Sequence, residues 1–143
     1  MFLELIISIV LELYGQIMIF KFPKNDKNFH WTQHIKDKML FYRISEQKIK
    51  TILKSYNRKE EGIAPNTMAV MLRNDTPKRK EEIWVMYQNI QNAGNDRDDR
   101  KTRKKIMISA WRYPGKSKAG KQIPIPDDVL QEIKDIWFNP APN

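Results

Sequence analysis

A chain of 143 residues, 41% hydrophobic and 30% charged, is sized and balanced for one globular domain with a core of its own. It has no cysteine and two histidines, His30 and His34; this excludes disulfides, zinc–thiolate sites and thiol nucleophiles, leaves too few ligands for a histidine-rich metal centre, and suits a cytoplasmic protein. A formal net charge of +9 directs the surface towards polyanions rather than small metabolites.

Residues 1–17 read as an apolar N-terminal extension that carries Glu4 and Glu12 but no basic residue. It lacks the positive start and small-residue cleavage site of a signal peptide, and two glutamates argue against a membrane span. Leu3, Ile6, Ile7, Val10, Leu11 and Tyr14 recur at helical spacing, with Glu4, Ser8 and Glu12 on the other side. Three readings stay open. The segment is an amphipathic helix docked on the core or on a second copy, a membrane-associated helix, or a start-site artefact ahead of a domain at 18–143.

Residues 17–22 alternate weakly and end at Pro23, which fits a short strand or extended arm, and 24–28 is a polar loop. Thr32 is a fair N-cap for a helix at 32–42 with Ile35, Met39 and either Phe41 or Tyr42 facing inward. Ser45 caps a second helix at 46–56, with Ile49, Ile52 and Leu53 inward and Lys48, Lys50 and Lys54 outward. After a polar, extended stretch at 58–63, residues 67–73 and 83–88 are rich in β-formers and apolar on both faces, as central strands are. Asp75, Thr76 and Pro77 mark the turn between them. Residues 89–103 form a long charged loop, 105–113 a further strand stopped by Pro114 and Gly115, and 116–122 a basic, flexible loop. Pro126, Asp127 and Asp128 open a last helix at 129–138, with Val129, Leu130, Ile133, Ile136 and Trp137 apolar. The expected fold is therefore α+β: two N-terminal helices, a three- or four-stranded antiparallel sheet, and a C-terminal helix.

The run GKSKAGK at 115–121 nearly matches a phosphate-binding P-loop and follows a strand. Gln122 stands where a hydroxyl would hold magnesium, however, and Ile-Pro-Ile-Pro follows where a helix would have to begin. The run reads better as a basic loop whose Lys116, Lys118 and Lys121 touch a phosphate backbone, as Arg103, Lys104 and Lys105 would at the start of the last strand. His34 and Lys38 share a helix face, where an imidazole could move a proton and an ammonium could stabilise an anion. The same histidine equally fits a partly buried ring bonded to the backbone. Arg112 follows the row Ile106, Ile108 and Ala110 to the rim of the core, placed to grip a phosphate or to pair with Glu61 or Glu82. Trp31 and Trp111 flank these residues and could stack a base; they fit the core as well.

The segment HIKDKMLFYRIS at 34–45, the lysine-rich second helix, the apolar strands and the closing SAWR at 109–112 resemble a family of small bacterial domains of unknown function. That family is related to the BrnT-type toxins and, more distantly, to RelE/ParE-like proteins. Its opening helix reads His-Ala, then Arg-Met, then Arg-Gly-Ile-Ser. His34, Met39, Ile44 and Ser45 match it; Lys38 replaces the arginine before Met39, and Tyr42 and Arg43 replace the Arg-Gly pair. Arg112 matches the arginine that commonly ends the family's last strand. The resemblance spans roughly residues 29–113. It implies a compact α+β fold with a few-stranded antiparallel sheet, metal-independent RNA cleavage, and a partner antitoxin that covers the site.

Together these readings lead to a basic RNA-binding protein, a toxin-type endoribonuclease that works without metal or small-molecule cofactor. His34 would be the base or acid, Lys38 and Arg112 the charge stabilisers, and Tyr113 or Glu61 the assistants. The alternatives are a non-catalytic module for nucleic acid or the ribosome, and a protein-interaction domain whose charge serves solubility.

Overall fold

The computed structural model describes residues 2–90 and 104–138. In chain order it contains α1 (Phe2–Ile19), β1 (Phe29–Trp31), α2 (Gln33–Tyr42), α3 (Glu46–Lys54), β2 (Arg58–Glu61), β3 (Thr67–Arg73), β4 (Glu81–Ile90), β5 (Lys104–Pro114) and α4 (Asp127–Phe138). The α+β class, the two helices ahead of the main strands and the C-terminal helix agree with expectation. The sheet differs. It has five strands in the order β1-β5-β4-β3-β2, and β1 runs parallel to β5 while every other pair is antiparallel.

The extra strands lie at the two edges and are short. β1 is three residues, with Phe29 opposite Lys105 and Trp31 opposite Met107. Its outer side is blunted by local side chains: Asn25 Oδ1 accepts from Trp31 N, and Asp26 Oδ1 accepts from Asn28 N and Phe29 N. β2 is the charged stretch RKEE, paired with β3. The strand or arm expected at 17–22 does not form, because α1 continues to Ile19. A strand needs an edge to pair with, and the edge of β5 is taken by β1 and then by the start of α2, where Thr32 N donates to Met107 O. Of the charged loop expected at 89–103, Asn89 and Ile90 end β4, and the remainder lies outside the described residues.

Both inner helices start as the sequence suggests. The Thr32 hydroxyl accepts from Ile35 N, and the Ser45 hydroxyl accepts from Lys48 N. Arg43 ends α2 in the left-handed conformation at φ 55°, and Ile44 N reaches back to Met39 O at 2.8 Å. α3 stops at Lys54, before Tyr56, which is exposed.

Apolar side chains fill both sheet faces. On one, Ile35 and Met39 of α2 and Ile49 and Ile52 of α3 pack on Val70, Ile83, Val85 and Ala110. On the other, Val129 and Ile133 of α4 join Ala69, Met71, Trp84, Met86 and Trp111, with Trp84 and Trp111 stacked at 6.2 Å and 8°. Ile136, expected on the inner stripe of α4, is exposed. A bulge at Ile108 pairs Met86 with Ser109 and Tyr87 with Met107, which turns Ile108 and Ser109 both to the α4 face. α1 stands apart: its large apolar side chains from Phe2 to Tyr14 are exposed. No helix among the described residues is long and apolar enough to cross a membrane.

Candidate functional site

α2 brings His34 and Lys38 together, one turn apart, on the side that meets α4. Both are buried, and both are held by α4 carboxylates. His34 Nδ1 lies 2.8 Å from Glu132 Oε2, and Lys38 Nζ lies 2.9 Å from Glu132 Oε1 and 2.8 Å from Asp128 Oδ2. The Tyr42 hydroxyl, one more turn along, donates to Asp128 at 3.3 Å. His34 Nε2 lies 2.9 Å from Ser109 Oγ on β5. One tautomer satisfies both contacts: Nδ1–H donates to Glu132 and Nε2 accepts from the serine.

The electrostatics follow from that packing. Burial pushes the His34 pKa down, helped by the Lys38 charge and resisted by Glu132, so the ring is neutral near pH 7. Burial would also lower Lys38, but hydrogen bonds and charge from Asp128 and Glu132 outweigh it and raise its pKa. The Tyr42 phenol is pushed up to about 12 by burial first and by the Asp128 charge second. Glu132, His34 and Ser109 have the connectivity of a hydrolase triad. Ser109 is fully buried, however, and its strand is paired with β4, so no acyl group can reach its oxygen. The cluster pins α4 to the sheet, and its carboxylates occupy the positions a phosphate would need.

Arg112 does not join this pair. It stands opposite Ile83, in the row that packs under α2 and α3, whereas Ser109 stands opposite Met86 on the α4 face. Arg112 Nε donates to Tyr42 O at 2.7 Å, one terminal nitrogen donates to Arg43 O at 3.1 Å, and the other meets Glu81 Oε1 at 2.6 Å. It is thus a C-cap for α2 and an ion-pair partner. Neither Glu61 nor Glu82 pairs with it. Strand alternation puts Glu81 on its face and turns Glu82 to the other, opposite Tyr113. Tyr113 packs against the α4-side core, and Glu61 is exposed on β2, separated from β5 by β3 and β4. The proposed site of His34, Lys38, Arg112, Tyr113 and Glu61 is therefore not assembled; of the five, only His34 and Lys38 meet.

Trp31 and Trp111 are buried in opposite core clusters, and Trp111 Nε1 donates to Pro124 O, so neither presents a face to a base. Arg103 lies outside the described residues. Lys104 and Lys105 begin β5, at the far end from Arg112, and Lys105 Nζ donates to Asn89 Oδ1 over the Tyr87 ring. Lys116, Lys118 and Lys121 are exposed. Their loop is tied down along its first half, unlike the flexible loop expected. Ser117 donates both N–H and O–H to the fully buried Glu82, at 3.2 and 2.6 Å. Arg58 donates to Ser117 Oγ and Lys118 O, and Arg73 donates to Gly115 O.

Those bonds join the expected basic loop to a second cluster of cations that the sequence pattern did not single out. Gly115 N donates to Lys80 O at 2.8 Å, which sets the turn carrying Lys78, Arg79 and Lys80 beside the loop carrying Lys116 and Lys118. All five cations are exposed. The acids nearby are already matched: Glu81 by Arg112, and Asp75 and Glu82 by Arg73. That second cluster is the short run Lys-Arg-Lys at 78–80. No protein-family model, curated protein or solved structure matches the chain.

Proposed function

We propose that this protein binds nucleic acid, RNA foremost, without cleaving it, through the end of the sheet where the 78–80 turn and the 115–118 loop meet. The observation that carries this reading is the convergence of five exposed cations around the Gly115–Lys80 hydrogen bond, beside acids that internal arginines neutralise. Such a patch attracts phosphates by charge, and its loops are held in place by Glu82, Arg58 and Arg73, so little order is lost on binding.

The test is RNA affinity as a function of salt. Affinity should fall steeply with salt, and Lys78→Glu with Lys116→Glu should weaken it and flatten the slope by about one unit for each phosphate no longer held. Lys134→Glu, an exposed change on α4, should do neither in like measure. Equal affinity for the wild type and the double variant would reject this surface. The same mixtures, incubated with chelator, report on the toxin-type reaction. His34 and Lys38 are buried against carboxylates and Arg112 is engaged by α2, so RNA should come through intact. Cleavage that His34→Ala with Arg112→Ala abolishes would restore the enzymatic reading.

A further inference from the structure

α1 is the largest unexplained feature of the surface. From Phe2 to Tyr14 its ten large apolar side chains are 48% to 83% exposed, far more apolar area on one element than an isolated soluble helix tolerates. From Phe2 to Tyr14, at about 100° per residue, Glu4, Ser8 and Glu12 fall in one stripe about 80° wide, and the remaining arc is apolar. Directly after the helix the chain alternates aromatic and basic residues. Phe20 and Phe22 pack edge-on at 5.1 Å, and Lys21, Phe22, Lys24 and Lys27 are exposed.

We propose that α1 is an interfacial anchor that lies along an anionic lipid bilayer, with Lys21, Lys24 and Lys27 at the headgroup phosphates. Charge complementarity favours this occupant. The apolar arc is followed by exposed lysines, and the foot of the helix adjoins the basic end of the sheet. Phe20 and Lys21 line one pocket with Leu40 and Arg43, and the carbonyl of Arg43 accepts from Arg112. An apolar sector combined with basic residues is the pairing that holds a helix in the headgroup layer of anionic membranes. A second copy fits less well. A two-helix seam covers a stripe of roughly 100°, which would leave most of this arc bare. The narrow acidic stripe suits a helix lying flat, with Glu4 and Glu12 turned to water.

Flotation of the full chain with vesicles tests this proposal. The protein should float with vesicles of phosphatidylcholine and phosphatidylserine, and less with phosphatidylcholine alone. Ile6→Glu with Val10→Glu, in the middle of the apolar arc, should lower vesicle partitioning by about tenfold or more. The melting curve should be unchanged, since these side chains do not contribute to the core. Lys21→Gln, Lys24→Gln and Lys27→Gln together should remove most of the preference for phosphatidylserine. Affinity for RNA should survive the Ile6/Val10 change, so loss of one interaction is separable from loss of the other. Failure of the wild type to float, or equal flotation of the Ile6/Val10 variant, overturns the proposal. Self-association by sedimentation equilibrium that the same variant abolishes, without vesicle binding, would assign the helix to a second copy instead.

Discussion

His34 shows how a histidine on a helix face can be structural. Its ring is neutral because burial disfavours the cation, and Ser109 and Glu132 take up its two nitrogens. A histidine whose folded pKa is below the ordinary value of about 6.5 binds fewer protons folded than unfolded in that range. Its contribution to stability is complete above that value and is lost as pH falls through it towards the lowered folded pKa. Urea unfolding on either side of pH 6.5 should therefore show stability dropping on acidification, by at most about 1.4 kcal/mol per pH unit from this group, and His34→Gln should flatten that drop. Arg112 carries a second prediction at this scale. Arg112→Ala strips the cap from α2 and leaves the buried Glu81 carboxylate without its cation, at a cost of roughly 2–3 kcal/mol, since the guanidinium is partly exposed. Arg112→Lys keeps the charge but cannot reach three acceptors, so its melting midpoint should fall between the two.

Among the elements, α2 is the hinge of the architecture. It seals the rest of the β5 edge, feeds Ile35 and Met39 to one core and His34 and Lys38 to the α4 contact, and ends at a left-handed Arg43. That position is where the resembled family's motif has glycine, and φ 55° explains why glycine would suit it. Arg43→Gly removes the clash between Cβ and backbone but loosens the unfolded chain, so a net gain on the order of 0.5 kcal/mol is expected in chemical denaturation. Thr32, Ser45 and the long apolar strands were legible because capping and β-propensity are local properties. β1 was not, because three residues carry too little periodicity, and their strand state comes from pairing with β5, more than 70 residues away in the chain.

At the scale of the whole molecule, one buried charge fixes where others stand. Glu82 is the organising group: a fully buried carboxylate that takes bonds from Arg73, Trp84 and Ser117 and thereby fixes the 115–118 loop. Ser117→Ala removes two interactions at once, the direct hydroxyl bond to Glu82 and the hydroxyl's link to Arg58, at a cost of about 1–3 kcal/mol. Trypsin under native conditions should then cut after Lys116 or Lys118 faster than in the wild type; an unchanged rate would mean that the loop is not held by this bond.

Composition, charge and local pattern determined by themselves the α+β class, the two capped helices, the three long strands and the excess of positive charge. Each follows from forces that act within one turn or one strand, or from net charge, which does not depend on the fold. Only the tertiary structure decided what the candidate site residues do. Alternation along β5 placed Arg112 at the rim of a core face, but which face meets which helix depends on the bulge at Ile108 and on α2 packing at the sheet edge. The carboxylate partners of His34 and Lys38 come from α4, 90 or more residues downstream, and no spacing rule couples residues that far apart. The same long reach set Lys80 beside Gly115 and made one basic surface out of two ordinary loops.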